Sequence, residues 1–158
     1  MTYKLACTVI CMSVAICAAT DDAKGLEVAR TRATLNAIVT EAAVKHSVPP
    51  QLATALVLVE SGFNSFALSA GNYGLMQIRC PTARGVGFRG DCRELLDPFV
   101  NVEYGMRYLA QALEQSHGDW CNAATMYNRG LGYVPSRSTK YCRNVLRQLP
   151  EKLAQANH

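Results

Sequence analysis

The sequence predicts a mainly α-helical fold in a single domain. Its 158 residues are about the length of one domain. Apolar residues recur at the three- and four-residue spacing of a helix face in several segments, and no series of alternating strands is present. Apolar residues make up 49% of the chain and charged residues 18%, which is typical of a globular protein and argues against a disordered or fibrous one.

The first segment, residues 1–19, has the pattern of a signal peptide. Lys4 precedes an apolar run, and the small residues Ala18 and Ala19 come just before the polar pair Asp21-Asp22. A membrane anchor is the alternative, but the run is shorter than the roughly 18–20 residues that a membrane span needs. We therefore expect an exported protein, cleaved near Ala18 or Ala19, with a mature domain over residues 20–158.

Two helices are predicted in the first half of the mature chain. Over residues 31–46, Leu35 and Val39 belong to an apolar face at helical spacing, and Pro49-Pro50 ends the run. The next helix begins at Pro50, a favoured first-turn residue, and continues to Glu60. It is apolar on nearly all sides, which predicts a helix buried inside the domain.

Residues 63–93 are rich in glycine and predict loops and short turns, with a small hairpin or a short helix at 75–78. Residues 85–90 also spell the dinucleotide-binding pattern G-x-G-x-x-G. That pattern needs a preceding strand and a helix that opens within it. Because no such strand–helix unit surrounds these residues, nucleotide binding is not predicted.

Three helices are predicted in the second half. Asp97 caps the first, whose apolar face includes Met106 and Leu109, and Asp119 caps the second, which ends near residues 128–130. The last helix is predicted over residues 138–149, with Tyr141 on its apolar face.

Four cysteines lie outside the predicted signal peptide, and an even number in an exported protein indicates two disulfides. Three pairings are possible. We expect Cys80–Cys92 and Cys121–Cys142, because each bond closes a local loop or joins neighbouring segments. No Cys-x-x-Cys pair and no paired histidines accompany these cysteines, so no metal site is predicted.

The formal net charge is +4, and it becomes +3 without the signal peptide. A solvated basic helix face accounts for this excess, and attraction to an anionic polymer is compatible with it. Nucleic-acid binding is not predicted, because the basic residues are not interleaved with aromatic ones and no nucleic-acid-binding motif is present.

Glu60 is the candidate catalytic residue. It follows an apolar helix and precedes the glycine-rich segment, so its carboxyl group could form part of a cleft wall. Apolar surroundings favour the neutral form of a carboxyl group and raise its pKa, as a general acid near neutral pH requires.

Several short motifs around Glu60 occur in a fixed order. They are Glu-Ser-Gly-Phe at 60–63, Gly-Leu-Met-Gln-Ile at 74–78, Pro-Thr-Ala at 81–83 and Tyr-Asn-Arg-Gly at 127–130. This ordered set, within residues 51–149, resembles the lytic transglycosylases with a lysozyme-like fold, in particular soluble and secretion-associated ones. The resemblance implies a cleft with the loop and short-hairpin region as one wall, in a protein of the periplasm or cell envelope.

The resemblance also assigns roles residue by residue. Glu60 matches the catalytic glutamate, and the residues implied to bind substrate or line the cleft are Ser61, Gly74, Met76, Gln77, Tyr127 and Asn128. The sequence departs from the usual pattern at Tyr73, at Thr125-Met126 and at Arg129, and these departures concern the subsites more than the chemistry.

The implied reaction uses Glu60 as the single acid and base. Glu60 protonates the oxygen that links N-acetylmuramic acid to N-acetylglucosamine in peptidoglycan, and the 2-acetamido group of the sugar stabilises the cationic centre. The carboxylate then accepts the proton of the C6 hydroxyl, and a 1,6-anhydro ring closes without water, metal or organic cofactor. The implied partners are peptidoglycan strands and a secretion or conjugation machine, and the protein is expected to be a monomer.

Two alternatives stay open at this point. A hydrolytic muramidase of the lysozyme type would need a second carboxylate, for which Asp91, Glu94 and Asp97 are the candidates. A non-catalytic wall-binding or secretion-scaffold module would be expected to lack Glu60 or the Tyr127-Asn128 pair, and this chain has both. Exo or endo action and tolerance of peptide stems are not predicted.

Overall fold

The computed structural model describes the backbone of residues 6–134 and 138–150, and the side chains of these ranges from residue 25 onwards. The described residues form two compact units, divided between Thr34 and Leu35. No helix in the described part of the chain combines the length and the apolar character needed to cross a bilayer. Residues 1–5 of the predicted signal peptide lie outside the described residues, and its cleavage stays a prediction.

The described residues contain six α-helices, one 3₁₀ helix and three two-residue strands. The helices are α1 (Ala6–Lys45), α2 (Pro50–Glu60), α3 (Cys80–Gly85), α4 (Pro98–Gln115), α5 (Trp120–Arg129) and α6 (Lys140–Leu146), the 3₁₀ helix is Cys92–Leu96, and the strands are β1 (Leu68–Ser69), β2 (Asn72–Tyr73) and β3 (Ile78–Arg79). The predicted mainly α class is confirmed.

Helix α2 has the predicted bounds, with Pro50 in its first turn. The Asp97 carboxylate caps α4 by accepting hydrogen bonds from the amides of Phe99 and Val100. The Asp119 carboxylate caps α5 in the same way, through the amide of Asn122. These starts were predictable because a capping side chain satisfies amide groups that the first helical turn leaves unpaired.

Three predicted elements differ from the structure. Helix α1 begins at Ala6 rather than Thr31, and the intervening chain has no proline and only one glycine to interrupt it. Helix α6 is shorter than the predicted 138–149: it begins at Lys140, because the Thr139 side chain caps it by accepting the amide of Cys142, and it ends at Leu146. Helix α3 lies in the segment predicted as loops and has Pro81 in its first turn.

The glycine-rich segment contains a three-stranded antiparallel sheet in the order β1-β2-β3. Ala70 and Gly71 connect β1 and β2 with positive φ angles of 49° and 80°, as a tight two-residue hairpin turn requires. The predicted hairpin is therefore present, whereas residues 75–78 form no helix. The G-x-G-x-x-G pattern begins at the last residue of α3, so no helix opens within it.

Two hydrophobic clusters support the site. The larger one contains Leu52 and Leu56 of α2, both fully buried, together with residues of α1, α4, α5 and α6. The smaller one packs beside the sheet and α3 and includes Ile78 and Phe88. Helix α2 is thus buried as predicted, and its C-terminal end carries Glu60 to the point where helices and sheet meet.

Candidate active site

A cavity of about 540 Å³ opens beside Glu60 at the end of α2. One wall is formed by the sheet region and α3, and the other by α4, α5 and the residue after α5. The lining residues are Glu60, Ala70, Asn72, Gln77, Ile78, Arg79, Thr82, Tyr108, Tyr127, Asn128, Arg129 and Gly130. The loop and hairpin region therefore forms one wall of the cavity, as the sequence predicted.

The Glu60 side chain is partly buried in this cavity. Burial raises the pKa of the carboxyl group above its usual range, and a hydrogen bond from Tyr141 acts in the opposite direction without cancelling that effect. The protonated form of Glu60 therefore persists to higher pH than it would in water. A carboxyl group in this state can donate a proton to a bound oxygen atom.

Two tyrosine hydroxyls make hydrogen bonds at the site. The hydroxyl of Tyr141 donates to Oε1 of Glu60, and that of Tyr127 donates to the carbonyl of Met76 at 2.8 Å. Burial, together with the nearby negative charge of Glu60, raises the pKa of both tyrosines well above the usual range. Both tyrosine hydroxyls therefore stay protonated and act as hydrogen-bond donors.

A disulfide fixes the two helices that carry these tyrosines. Cys121 of α5 is bonded to Cys142 of α6, with an S–S distance of 1.91 Å. The second disulfide, Cys80–Cys92, joins the start of α3 to the 3₁₀ helix. This is the predicted pairing, and it constrains both walls of the cavity.

Asn101 of α4 holds the sheet wall in place. Its side chain is fully buried. Oδ1 accepts the amide of Met76 at 2.8 Å, and Nδ2 donates to the carbonyls of Tyr73 and Leu95, each at 2.7 Å. Gly74 leaves room for this amide group, because a Cβ atom there would lie 2.5 Å from Nδ2.

Gln77 follows directly and lines the cavity. Its backbone has a positive φ of 46°, which is uncommon for a residue other than glycine. Its Nε2 donates to the carbonyls of Ala67 and Gly74 at 3.1 and 2.9 Å. These bonds fix the amide group, so its oxygen can serve as a hydrogen-bond acceptor at the cavity wall.

The predicted site residues separate into two groups. Glu60, Gln77, Tyr127 and Asn128 line the cavity, whereas Ser61, Gly74 and Met76 lie outside its lining. The Ser61 hydroxyl donates to the carbonyl of Leu75 at 2.8 Å and so ties the end of α2 to the sheet wall. Gly74 and Met76 are buried in that wall. Direct contact of these three residues with a substrate stays a prediction.

Sequence reasoning missed Tyr141 as a site residue and treated it only as part of an apolar helix face. Two signals could have identified it. A buried tyrosine hydroxyl usually needs a hydrogen-bond partner, and the neighbouring Cys142 is held against α5 by its disulfide. Arg79 and Asn72, which also line the cavity, were not selected as site residues either.

The three candidates for a second carboxylate all have structural roles. Asp91 and Glu94 form a reciprocal cap at the start of the 3₁₀ helix: Asp91 accepts the amide of Arg93, and Glu94 accepts that of Asp91. Asp97 caps α4. None of the three lines the cavity, and among the described residues that do, Glu60 alone carries a carboxyl group.

Comparisons with known proteins find similar sequences and similar folds. The Transglycosylase SLT domain family matches residues 37–145, more than half of the chain. A stretch of 71 residues is 39% identical to the endo-type membrane-bound lytic murein transglycosylase A of Salmonella paratyphi B, and an equal match is found in Salmonella enteritidis. The match covers 40% of this chain and about a third, 35%, of that relative's length.

Two solved structures share the fold over 77% of this chain. They are the lytic transglycosylase Slt of Pseudomonas aeruginosa, with a TM-score of 0.59 and 24% identity, and the 70 kDa soluble lytic transglycosylase of Escherichia coli, with a TM-score of 0.58 and 22% identity. The match covers only 21% and 22% of those larger proteins.

Proposed function

The chain belongs to the Transglycosylase SLT domain family, and on that premise we propose that it is a peptidoglycan lytic transglycosylase with Glu60 as its acid and base. The bond cleaved is the β-1,4 linkage between N-acetylmuramic acid and N-acetylglucosamine. The relatives with similar sequences are named lytic murein transglycosylases, which supports a glycan-strand substrate. The site of action is the periplasm or the cell envelope.

The observation that carries the proposal is a partly buried carboxyl group that has no second carboxyl group beside it among the described lining residues. Glycosidases that hydrolyse their substrates usually place two carboxyl groups on either side of the bond that breaks. Here the described residues around the cavity offer only Glu60, and the other three candidates cap helices. A reaction in which one carboxyl group gives and then takes a proton fits this arrangement.

In the first step Glu60 protonates the glycosidic oxygen, and the bond to the anomeric carbon of the muramic acid breaks. The 2-acetamido group of the same sugar stabilises the positive charge that develops there. Burial raises the pKa of Glu60 and thereby keeps its proton available. Glu60 leaves this step as a carboxylate.

In the second step the carboxylate accepts the proton of the C6 hydroxyl, whose oxygen bonds to the anomeric carbon and closes the 1,6-anhydro ring. The Tyr141 hydroxyl donates to Glu60 and stabilises its ionised form between the two steps. Glu60 ends protonated, so the cycle consumes no water.

Mass spectrometry of fragments released from purified cell walls tests the reaction. We expect products that end in 1,6-anhydro-muramic acid, which are one water lighter than hydrolysis products. Reducing-end muramic acid as the sole product would instead identify a hydrolase.

Glu60→Gln keeps the size of the side chain but removes the acid. We expect the rate to fall by about two to four orders of magnitude, the usual contribution of a general acid–base residue. Glu114→Gln, at an exposed position of α4, is the matched control and should clear cell walls at the wild-type rate. Unchanged activity of Glu60→Gln would exclude Glu60 as the acid.

The predicted monomeric state and the predicted secretion or conjugation partner stay predictions.

A further inference from the structure

Two arginines line the Glu60 cavity, one on each wall. Arg79 is the last residue of β3, in the sheet wall. Arg129 is the last residue of α5, in the helical wall. Both are exposed, so their guanidinium groups are open to a ligand that enters between the walls.

No carboxylate of the described residues forms an ion pair with either arginine. The cationic side chains of Lys45 and Arg107, by contrast, lie 2.9 and 2.8 Å from carboxylate oxygens of Glu103. Glu60, the one acid among the lining residues, accepts its hydrogen bond from Tyr141 instead. The cavity therefore holds positive charge that the described protein groups do not neutralise.

Each arginine has a neighbour near the cavity. The guanidinium carbon of Arg129 lies over the Tyr133 ring, 5.5 Å from its centre, as in a cation–π contact. Arg79 is paired directly with Asn72 across β2 and β3. Directly opposite residues of an antiparallel pair project from the same face of a sheet, and both of these line the cavity.

We propose that Arg79 and Arg129 bind a carboxylate group of the glycan substrate and so determine which strands the enzyme prefers. This inference rests on the proposed function. A guanidinium group presents N–H donors in a planar fork that matches the two oxygens of a carboxylate. The carboxylates of peptidoglycan lie on the muramic acid substituent, either as the free lactyl group of a strand without stems or as the acidic groups of a stem peptide.

Three substrates and three variants test this inference. The substrates are strands with intact stems, strands whose stems have been removed so that the lactyl carboxylate is free, and strands whose stem carboxyl groups are blocked as methylamides. The variants are Arg79→Gln, Arg129→Gln and the control Arg93→Gln, which changes an exposed arginine outside the cavity lining.

We expect each cavity variant to raise KM by about two- to fivefold on strands that carry carboxylates, with a smaller effect on kcat, as for a partly exposed ion pair. On blocked strands KM should already be raised for the wild type and should change little in the variants. Added salt should weaken wild-type binding to carboxylate strands more than binding to blocked ones. If the arginine substitutions raise KM only on strands with intact stems, the ligand is a carboxylate of the stem peptide. If they also raise KM on strands without stems, the ligand is the lactyl carboxylate.

Equal KM values of the wild type for all three kinds of strand would overturn the inference, even if anhydro products were formed normally. The same conclusion would follow if Arg93→Gln raised KM as much as the cavity variants do. Failure of the proposed function would look different, because no strand of any kind would then yield anhydro products. Binding of the same strands to Glu60→Gln, with and without the arginine substitutions, measures carboxylate recognition independently of turnover.

Discussion

At the scale of single residues, the Glu60 carboxyl group is under two opposing influences. Burial disfavours the ionised form, whereas the Tyr141 hydroxyl stabilises it. The proposed reaction needs both, because Glu60 must hold a proton when the substrate binds and must be a stable carboxylate before the second step. Tyr141 therefore adjusts the balance between the two forms through its hydrogen bond to Glu60.

Tyr141→Phe should shift the pH dependence of the rate. Without the hydroxyl, burial is the remaining influence and the pKa of Glu60 rises further. The protonated form is then present up to a higher pH, so the alkaline limb of the kcat/KM profile should move upwards, while the rate at its maximum falls because the carboxylate intermediate loses a donor. The measurement is a pH–rate profile on soluble glycan strands.

Tyr104→Phe is the matched control for this variant. Its ring packs edge to face against Phe88 with ring centres 5.0 Å apart, in the smaller hydrophobic cluster rather than beside Glu60. Its profile should coincide with that of the wild type. If the alkaline limb of Tyr141→Phe stays in place or moves to lower pH, the hydrogen bond does not control the ionisation of Glu60.

At the scale of elements, Asn101 connects α4 to the sheet wall, through Tyr73 and Met76, and to the 3₁₀ helix, through Leu95. Asn101→Ala would leave the buried Met76 amide and two carbonyl groups without their partner. Because an unsatisfied buried polar group costs about 1–3 kcal/mol, we expect the free energy of unfolding to fall by about 2–4 kcal/mol. Urea unfolding measures this loss. Activity measured well below the unfolding midpoint should also fall, since Gln77 follows Met76 in the chain.

Gln111→Ala is the control on the same helix, because Gln111 is exposed. It should change the free energy of unfolding by no more than about 0.5 kcal/mol. Should Asn101→Ala prove as stable and as active as this control, Asn101 would not hold the sheet wall.

The elements that the sequence predicted are those that depend on local signals. Asp97 and Asp119 each begin a helix through hydrogen bonds within one turn, and Pro50 favours a first helical turn through its fixed φ angle, so nearby residues in the chain were sufficient. The role of Tyr141 depends on Glu60, which lies 81 positions earlier in the chain. Helical spacing places Tyr141 on an apolar face but does not reveal this distant hydrogen-bond partner. The partners of Asn101 likewise come from two separate segments, residues 73–76 and the 3₁₀ helix, although a polar residue on an apolar helix face predicts some buried hydrogen bond.

At the scale of the whole molecule, one group of charges connects the end of α1 to α4. Glu103 of α4 lies 2.9 Å from Lys45 and 3.0 Å from His46, and its other oxygen lies 2.8 Å from Arg107. Partial burial acts to raise the pKa of Glu103, but the hydrogen bonds from these three residues outweigh it and lower the pKa to about 2. The ionised form of Glu103 is therefore stabilised by folding.

The lowered pKa of Glu103 makes the free energy of unfolding decrease as the pH falls. A carboxyl group with a folded-state pKa of about 2 and an ordinary value of 4.5 favours the folded state fully above pH 4.5. That contribution is lost as the pH falls towards 2, because the unfolded chain takes up the proton first. Since Lys45 and Arg107 are largely exposed to solvent, we expect the contribution to be about 1–2 kcal/mol.

Glu103→Gln removes the ionisable group and tests this expectation. At pH 7 the variant should be less stable than the wild type by about 1–2 kcal/mol in urea unfolding, and the difference should shrink towards zero between pH 4.5 and 2. Glu114→Gln is the control on the same helix and should track the wild type across this range, because Glu114 is exposed. A difference for Glu103→Gln that stays constant from pH 7 to 2 would mean that the substitution acts through packing rather than through charge.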